Sequence, residues 1–113
     1  TKRYDAHLRR LRRTLAERKQ QAWQSLLRHM PAGVKIHHND SGYFLWLELP
    51  AQLDAGLLSE KALTHHISIA PGKLFSTSDA WTPFFRFNTS WAWGEREEQA
   101  VIQLGKLIST MLE

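Results

Sequence analysis

The chain contains no cysteine, so neither a disulfide framework nor a thiolate metal site is available to it. That fits a cytoplasmic protein, which is the expected compartment. No apolar run approaches the roughly 20 residues of a membrane-spanning helix. The N-terminus, Thr1-Lys2-Arg3-Tyr4, has no apolar stretch behind it and reads as no secretory signal. No Met starts the chain, and the expectation is a piece of a larger protein. There is no G-x-S-x-G nucleophile motif and no Gly-rich phosphate loop, since Pro71-Gly72-Lys73 is only a turn with a Lys behind it. Paired carboxylates for acid–base work are also missing. A self-contained catalytic cycle is therefore not expected, and no catalytic residue is assigned.

What is present is a core's worth of apolar residues, 42% of 113, in a length that makes residues 1–113 one domain. Five Trp, five Phe and two Tyr are many for this length; some fill the core and some face a neighbour. The net charge of +4 is uneven. Residues 1–30 hold nine Lys/Arg against Asp5 and Glu17, while the remainder holds six against nine acids. A basic helix face reads either as a solvated surface or as a contact for nucleic acid or anionic membrane.

Hydrophobic spacing predicts a helix over 4–29, with Tyr4, Leu8, Leu11, Leu15, Ala22, Leu26 and Met30 as one buried stripe. Pro31 and Gly33 stop it. Residues 34–38 alternate as a strand, 39–42 form a turn cluster, and 43–49 form a β-prone run that is apolar on both faces. That run is expected to be central and covered on both sides. Asp54 caps a helix over about 54–66, with Leu57, Leu58, Ala62 and Leu63 inward. A short strand at 67–70 ends at the turn pair Pro71-Gly72. A loop spans 73–83, a strand 84–89, and a helix 95–112 with the stripe Val101, Leu104, Ile108 and Met111. The fold class is α+β: a mostly antiparallel sheet of about four strands packed with helices.

Arg86 stands out among the chemical candidates, because it interrupts the apolar run Phe84-Phe85-Arg86-Phe87. A guanidinium there needs an anion or acceptors. Glu48 or a backbone carbonyl is one kind of partner, and a ligand carboxylate or phosphate gripped by a bidentate fork is the other. The pairs His37-His38 and His65-His66 invite a metal. Neighbours on a strand or helix point apart and cannot chelate together, so no metal site is assigned.

Three stretches in order, Ser41-Gly42-Tyr43-Phe44-Leu45-Trp46-Leu47, residues 67–75 (ISIAPGKLF) and Phe85-Arg86-Phe87-Asn88-Thr89-Ser90, together with the helix segment 4–13, resemble the C-terminal small domain of fold-type I pyridoxal-phosphate enzymes, the aspartate aminotransferase superfamily. The nearest likeness is to MocR-type regulators of the GntR family, in which a winged-helix DNA-binding domain is fused to an aminotransferase-like domain. The resemblance implies that Arg86 binds a substrate carboxylate and that Gly42 approaches the pocket. Ser41 stands where many members have a further Gly. It also implies a pyridoxal 5'-phosphate site in a large domain outside this chain, with its Schiff-base lysine, since none of Lys35, Lys61, Lys73 or Lys106 sits in such a motif. The implied partners are that large domain, the DNA-binding domain, an amino acid or amine effector, and a second copy in a homodimer. A plain aminotransferase parent is the alternative. From composition alone, a separate nucleic-acid-binding module using Arg9, Arg10, Arg12 and Arg13 stands beside these readings.

Overall fold

The structure, a computed structural model, describes residues 1–38 and 42–113. The turn cluster expected at 39–41, including Ser41, lies outside the described residues. Three helices and four strands follow in the order α1 (Lys2–His29), β1 (Lys35–His37), β2 (Phe44–Glu48), α2 (Ala55–Leu63), β3 (Ala70–Pro71), β4 (Phe84–Asn88) and α3 (Glu95–Leu112). The sheet order is β1-β2-β4-β3 and every pairing is antiparallel. The α+β architecture expected from the sequence is the one found.

The period of two along β2 and β4 organises the molecule. Leu45 faces Phe87 and Leu47 faces Phe85 across the ladder, and all four are buried. They join one core with Ala22 and Leu26 of α1, Ala55, Leu58 and Ala62 of α2, and Val101, Leu104 and Ile108 of α3. The opposite face presents Phe44, Trp46 and Glu48 against Asn88, Arg86 and Phe84. These residues are half-buried or exposed. Strand 43–49 is thus sealed on one face and only partly covered on the other, because all three helices contribute to the same core.

Four other expectations are corrected. The stripe of α1 is fully buried only at Ala22 and Leu26; Leu8 and Leu15 are half-buried, and Tyr4 is 61% and Leu11 45% exposed, with no described element opposite them. Leu57 and Leu63 face out, because the nine-residue α2 spends its inward arc on Ala55, Leu58 and Ala62. Ladder pairing in the third strand covers Ala70 and Pro71 rather than 67–70. Ile67 and Ile69 are nevertheless buried, so the alternation there reflects packing without a ladder. The expected loop at 73–83 contains two 3-10 turns, Gly72–Leu74 and Asp79–Trp81. The two turns are linked by the Lys73–Asp79 ion pair at 2.9 Å. Gly72 is fixed by space: a Cβ there would lie 2.7 Å from the Trp81 carbonyl oxygen.

The end of α2 explains one histidine pair. The Ile67 amide donates to the Ala62 carbonyl and the His66 amide to that of Leu63, each at 3.0 Å. This is a Schellman closure, which places a left-handed residue after the helix, usually Gly. His66 holds that place at φ 61°. Replacing it, His66→Gly, is expected to stabilise the chain by about 1 kcal/mol, read from the urea midpoint at constant m.

Glu98, in the first turn of α3, joins α1 to α3. Its carboxylate accepts from the Ser25 hydroxyl at 2.5 Å, from Arg28 at 3.0 Å and from the Trp93 indole at 3.4 Å, and lies 3.2 Å from His29 Nε2. The Ser25 hydrogen bond above all, against some opposing desolvation, then Arg28, His29 and Trp93, lower its pKa from 4.5 to about 2. A depressed carboxylate stabilises the fold above its unfolded pKa and loses that effect as pH falls through the folded one. Thermal stability should therefore fall between about pH 4.5 and 2. Glu98→Gln should flatten that segment of the profile and cost about 1–2 kcal/mol at neutral pH, a discounted value for a carboxylate still partly open to solvent.

Candidate functional site

The partly covered face of the sheet carries a cleft of about 530 Å³, lined by ten residues from β2, β4, the segment before β3 and the loops at either end. Arg86 is its charged lining residue; Tyr43, Phe44, Phe75 and Trp91 are its aromatic ones. The strand period that buries Phe85 and Phe87 turns Arg86 outward here, opposite Trp46 on β2.

Arg86 is seated by rings. Its guanidinium carbon lies 3.7 Å from the centre of Phe44, 4.8 Å from Phe75 and 5.8 Å from Trp46. Ring faces attract a cation and leave the N–H groups at its edge free to donate. Arg86 makes no hydrogen bond or ion pair among the described residues. The internal partner weighed from sequence, Glu48, is engaged elsewhere: its Oε1 lies 3.0 Å from His37 Nε2. A planar cation held by stacking, at an open cleft with no carboxylate among its described lining residues, is arranged to take an anion in two places.

Gly42 lies one residue before the lining pair Tyr43 and Phe44 rather than in the lining itself. Its φ is +76°, and a Cβ there would meet the Phe44 ring at 2.5 Å. Gly42 therefore acts on the site through Phe44, the ring over Arg86. Two cations of α1 pin one end of the cleft through neighbouring backbone carbonyls, since the β2–β4 register sets the chain before Phe44 beside the chain after Asn88. Arg18 donates to the Ser90 carbonyl at 2.9 Å, and Lys19 to that of Gly42 at 3.2 Å. Sequence reading missed both, since nothing local in a basic helix distinguishes a lysine that reaches a turn carbonyl from one in solvent. Asn88 closes its own loop by accepting from the Ser90 amide and hydroxyl, each at 2.7 Å.

The histidines do not assemble. His37 pairs with Glu48, His38 meets Trp23 edge-on at 5.0 Å, and His65 and His66 are exposed at the end of α2. No group of three metal-ligating side chains occurs among the described residues. A pyridoxal-phosphate cofactor does not fit this cleft alone, because its described lining residues include no lysine for the aldehyde and no carboxylate for the ring nitrogen. Its chemistry suits the acid end of a ligand. No described helix is long and apolar enough to cross a membrane.

No family model matches the chain. It is 79% identical, over 99% of its length, to an uncharacterized HTH-type transcriptional regulator of Escherichia coli, YdcR. It is 27% identical over 97% of its length to a second such regulator of that organism, YjiR. Among solved structures, the α-aminoadipate aminotransferase LysN of Thermus thermophilus, complexed with N-(5'-phosphopyridoxyl)-L-leucine, superposes with a TM-score of 0.87 at 28% identity. That match covers 96% of this chain and 28% of the enzyme. The chain spans about a quarter of the length of the curated regulators it matches, 24% and 23%. It is thus an aminotransferase-like domain, homologous over nearly its whole length to segments of HTH-type transcriptional regulators and of aminotransferases.

Proposed function

We propose that this chain is the substrate-side, C-terminal domain of a MocR-type regulator of the GntR family, and that Arg86 binds the carboxylate of an amino acid effector. The observation that carries the reading is Arg86 itself, stacked on Phe44 and Phe75, open to the cleft and without an anionic partner among the described residues. The 79% identity to an HTH-type regulator favours a regulator over a plain aminotransferase. Pyridoxal 5'-phosphate, held by the large domain of the parent, supplies the electrophile and electron sink that engage the effector's amino group. This chain's residues do the rest of the holding. The guanidinium fork fixes the carboxylate, Phe44 and Phe75 hold the fork's plane, and Arg18 and Lys19 fasten the chain at one end of the cleft. The parent is a cytoplasmic homodimer in this reading, and an effector that repositions this domain biases the attached DNA-binding domains.

The full-length parent should show a visible absorption band that borohydride abolishes. Arg86→Ala should keep the band yet raise the half-saturating amino acid concentration by about 100-fold, the loss of two charge-assisted hydrogen bonds of roughly 1.5 kcal/mol each. An unchanged response would remove Arg86 from the site, and a colourless parent that cannot be reconstituted would remove the cofactor. Gly42→Ala should act more weakly and by another route. Strain at a left-handed φ and a displaced Phe44 should lower stability by about 1–2 kcal/mol. The effector concentration should then rise less than in Arg86→Ala, as seen in paired melting and titration curves.

A further inference from the structure

The first half of α1 has two faces: an apolar one on which Tyr4 and Leu11 are exposed while Leu8 and Leu15 are half-buried, and a basic one without partners among the described residues. At about 100° per residue, Tyr4, Leu8, Leu11 and Leu15 fall within a narrow arc continuous with the buried Ala22 and Leu26. Lys2, Arg3, Arg9, Arg10 and Arg13 centre on the opposite arc, with Arg12 at its flank. All six cations are exposed. None makes an ion pair or side-chain hydrogen bond among the described residues. Asp5 and Glu17, the acids of this helix, are not ion-paired either.

Such an arrangement works against the isolated helix. Arg9 lies three and four residues from Arg12 and Arg13, and Arg10 lies three from Arg13, so like charges stand over one another on adjacent turns. The basic side chains of the second half behave differently: Arg18, Lys19 and Arg28 each reach an acceptor within the fold. The uncompensated charge is thus confined to the projecting half and points away from the apolar stripe. A protein surface that covers the stripe leaves the cations facing outward. Six unpaired cations along roughly 18 Å of helix match a polyanion with closely spaced charges better than a small ligand.

We propose that this face of α1 binds the phosphate backbone of duplex DNA, as a sequence-independent contact added to that of the regulator's DNA-binding domains. It rests on the regulator reading above. Arginine and lysine supply the phosphate contacts, and no base recognition is required of them. In the parent this contact would tether the effector-binding domain to the DNA while the attached domains select the sequence.

The test uses the full-length parent, a labelled random-sequence duplex of about 40 base pairs and a salt titration. Changing Arg9, Arg10, Arg12 and Arg13 together to Gln keeps helix propensity and removes the repulsion, so melting temperature should hold or rise. The slope of log affinity against log salt should fall by about three, and the dissociation constant at about 100 mM salt should rise about tenfold or more. An unchanged slope and affinity in a folded variant would overturn the proposal while leaving the regulator reading in place. A loss seen with a single-stranded RNA probe but not with the duplex would overturn it in favour of RNA. A parent that binds no duplex at any salt would remove the regulator reading as well.

Discussion

Antiparallel pairing of β2 with β4 is the constraint from which the rest follows. Once Leu45 and Leu47 meet Phe87 and Phe85 under the helices, the intervening residues have no freedom of direction. A slip of one residue would drive a guanidinium into the core and expose two phenylalanines. The cleft-facing position of Arg86 is therefore guarded by the hydrophobic effect acting on its neighbours. Burial of Phe85 and Phe87 leaves the cleft untouched and fixes its orientation.

The outer face of the sheet obeys a different logic. Phe44, Trp46, Phe75, Trp81 and Phe84 form a chain of ring contacts with centroid separations from 5.0 to 6.2 Å. Aromatic edges and faces tolerate both water and a cation, where aliphatic side chains would not. This explains how an arginine persists in a run that reads as a core strand: its companions on that face are amphipathic in their electrostatics.

Much of this was legible beforehand, and the failures are instructive. Helix limits at α1 and α3 were readable because Pro31, Gly33 and the acidic start of α3 are local signals. The faces of β4 were readable because a period of two needs no tertiary knowledge. The two-sided covering of 43–49 was not, since Trp and Phe at a half-open cleft look the same in sequence as Trp and Phe in a core. Leu57 and Leu63 misled for a related reason, an apolar residue having no local mark for which arc of a short helix is used. Glu98 carries only the local mark of an acid at a helix start. Its partners Ser25, Arg28 and His29 lie about seventy residues away, and no local rule joins them. Arg86 was noticed by its incongruity; the family resemblance gave it a role, and the structure gave it neighbours.

The anchoring of α1 carries a mechanical consequence. The helix is fastened to the sheet and to α3 over its second half, and Arg18 and Lys19, near its middle, grip two neighbouring chain segments at one end of the cleft. The first half extends beyond that grip as a stiff rod of about 25 Å. That grip is the helix's nearest point of support, so a tilt of about 5° there would carry the helix start through about 2 Å.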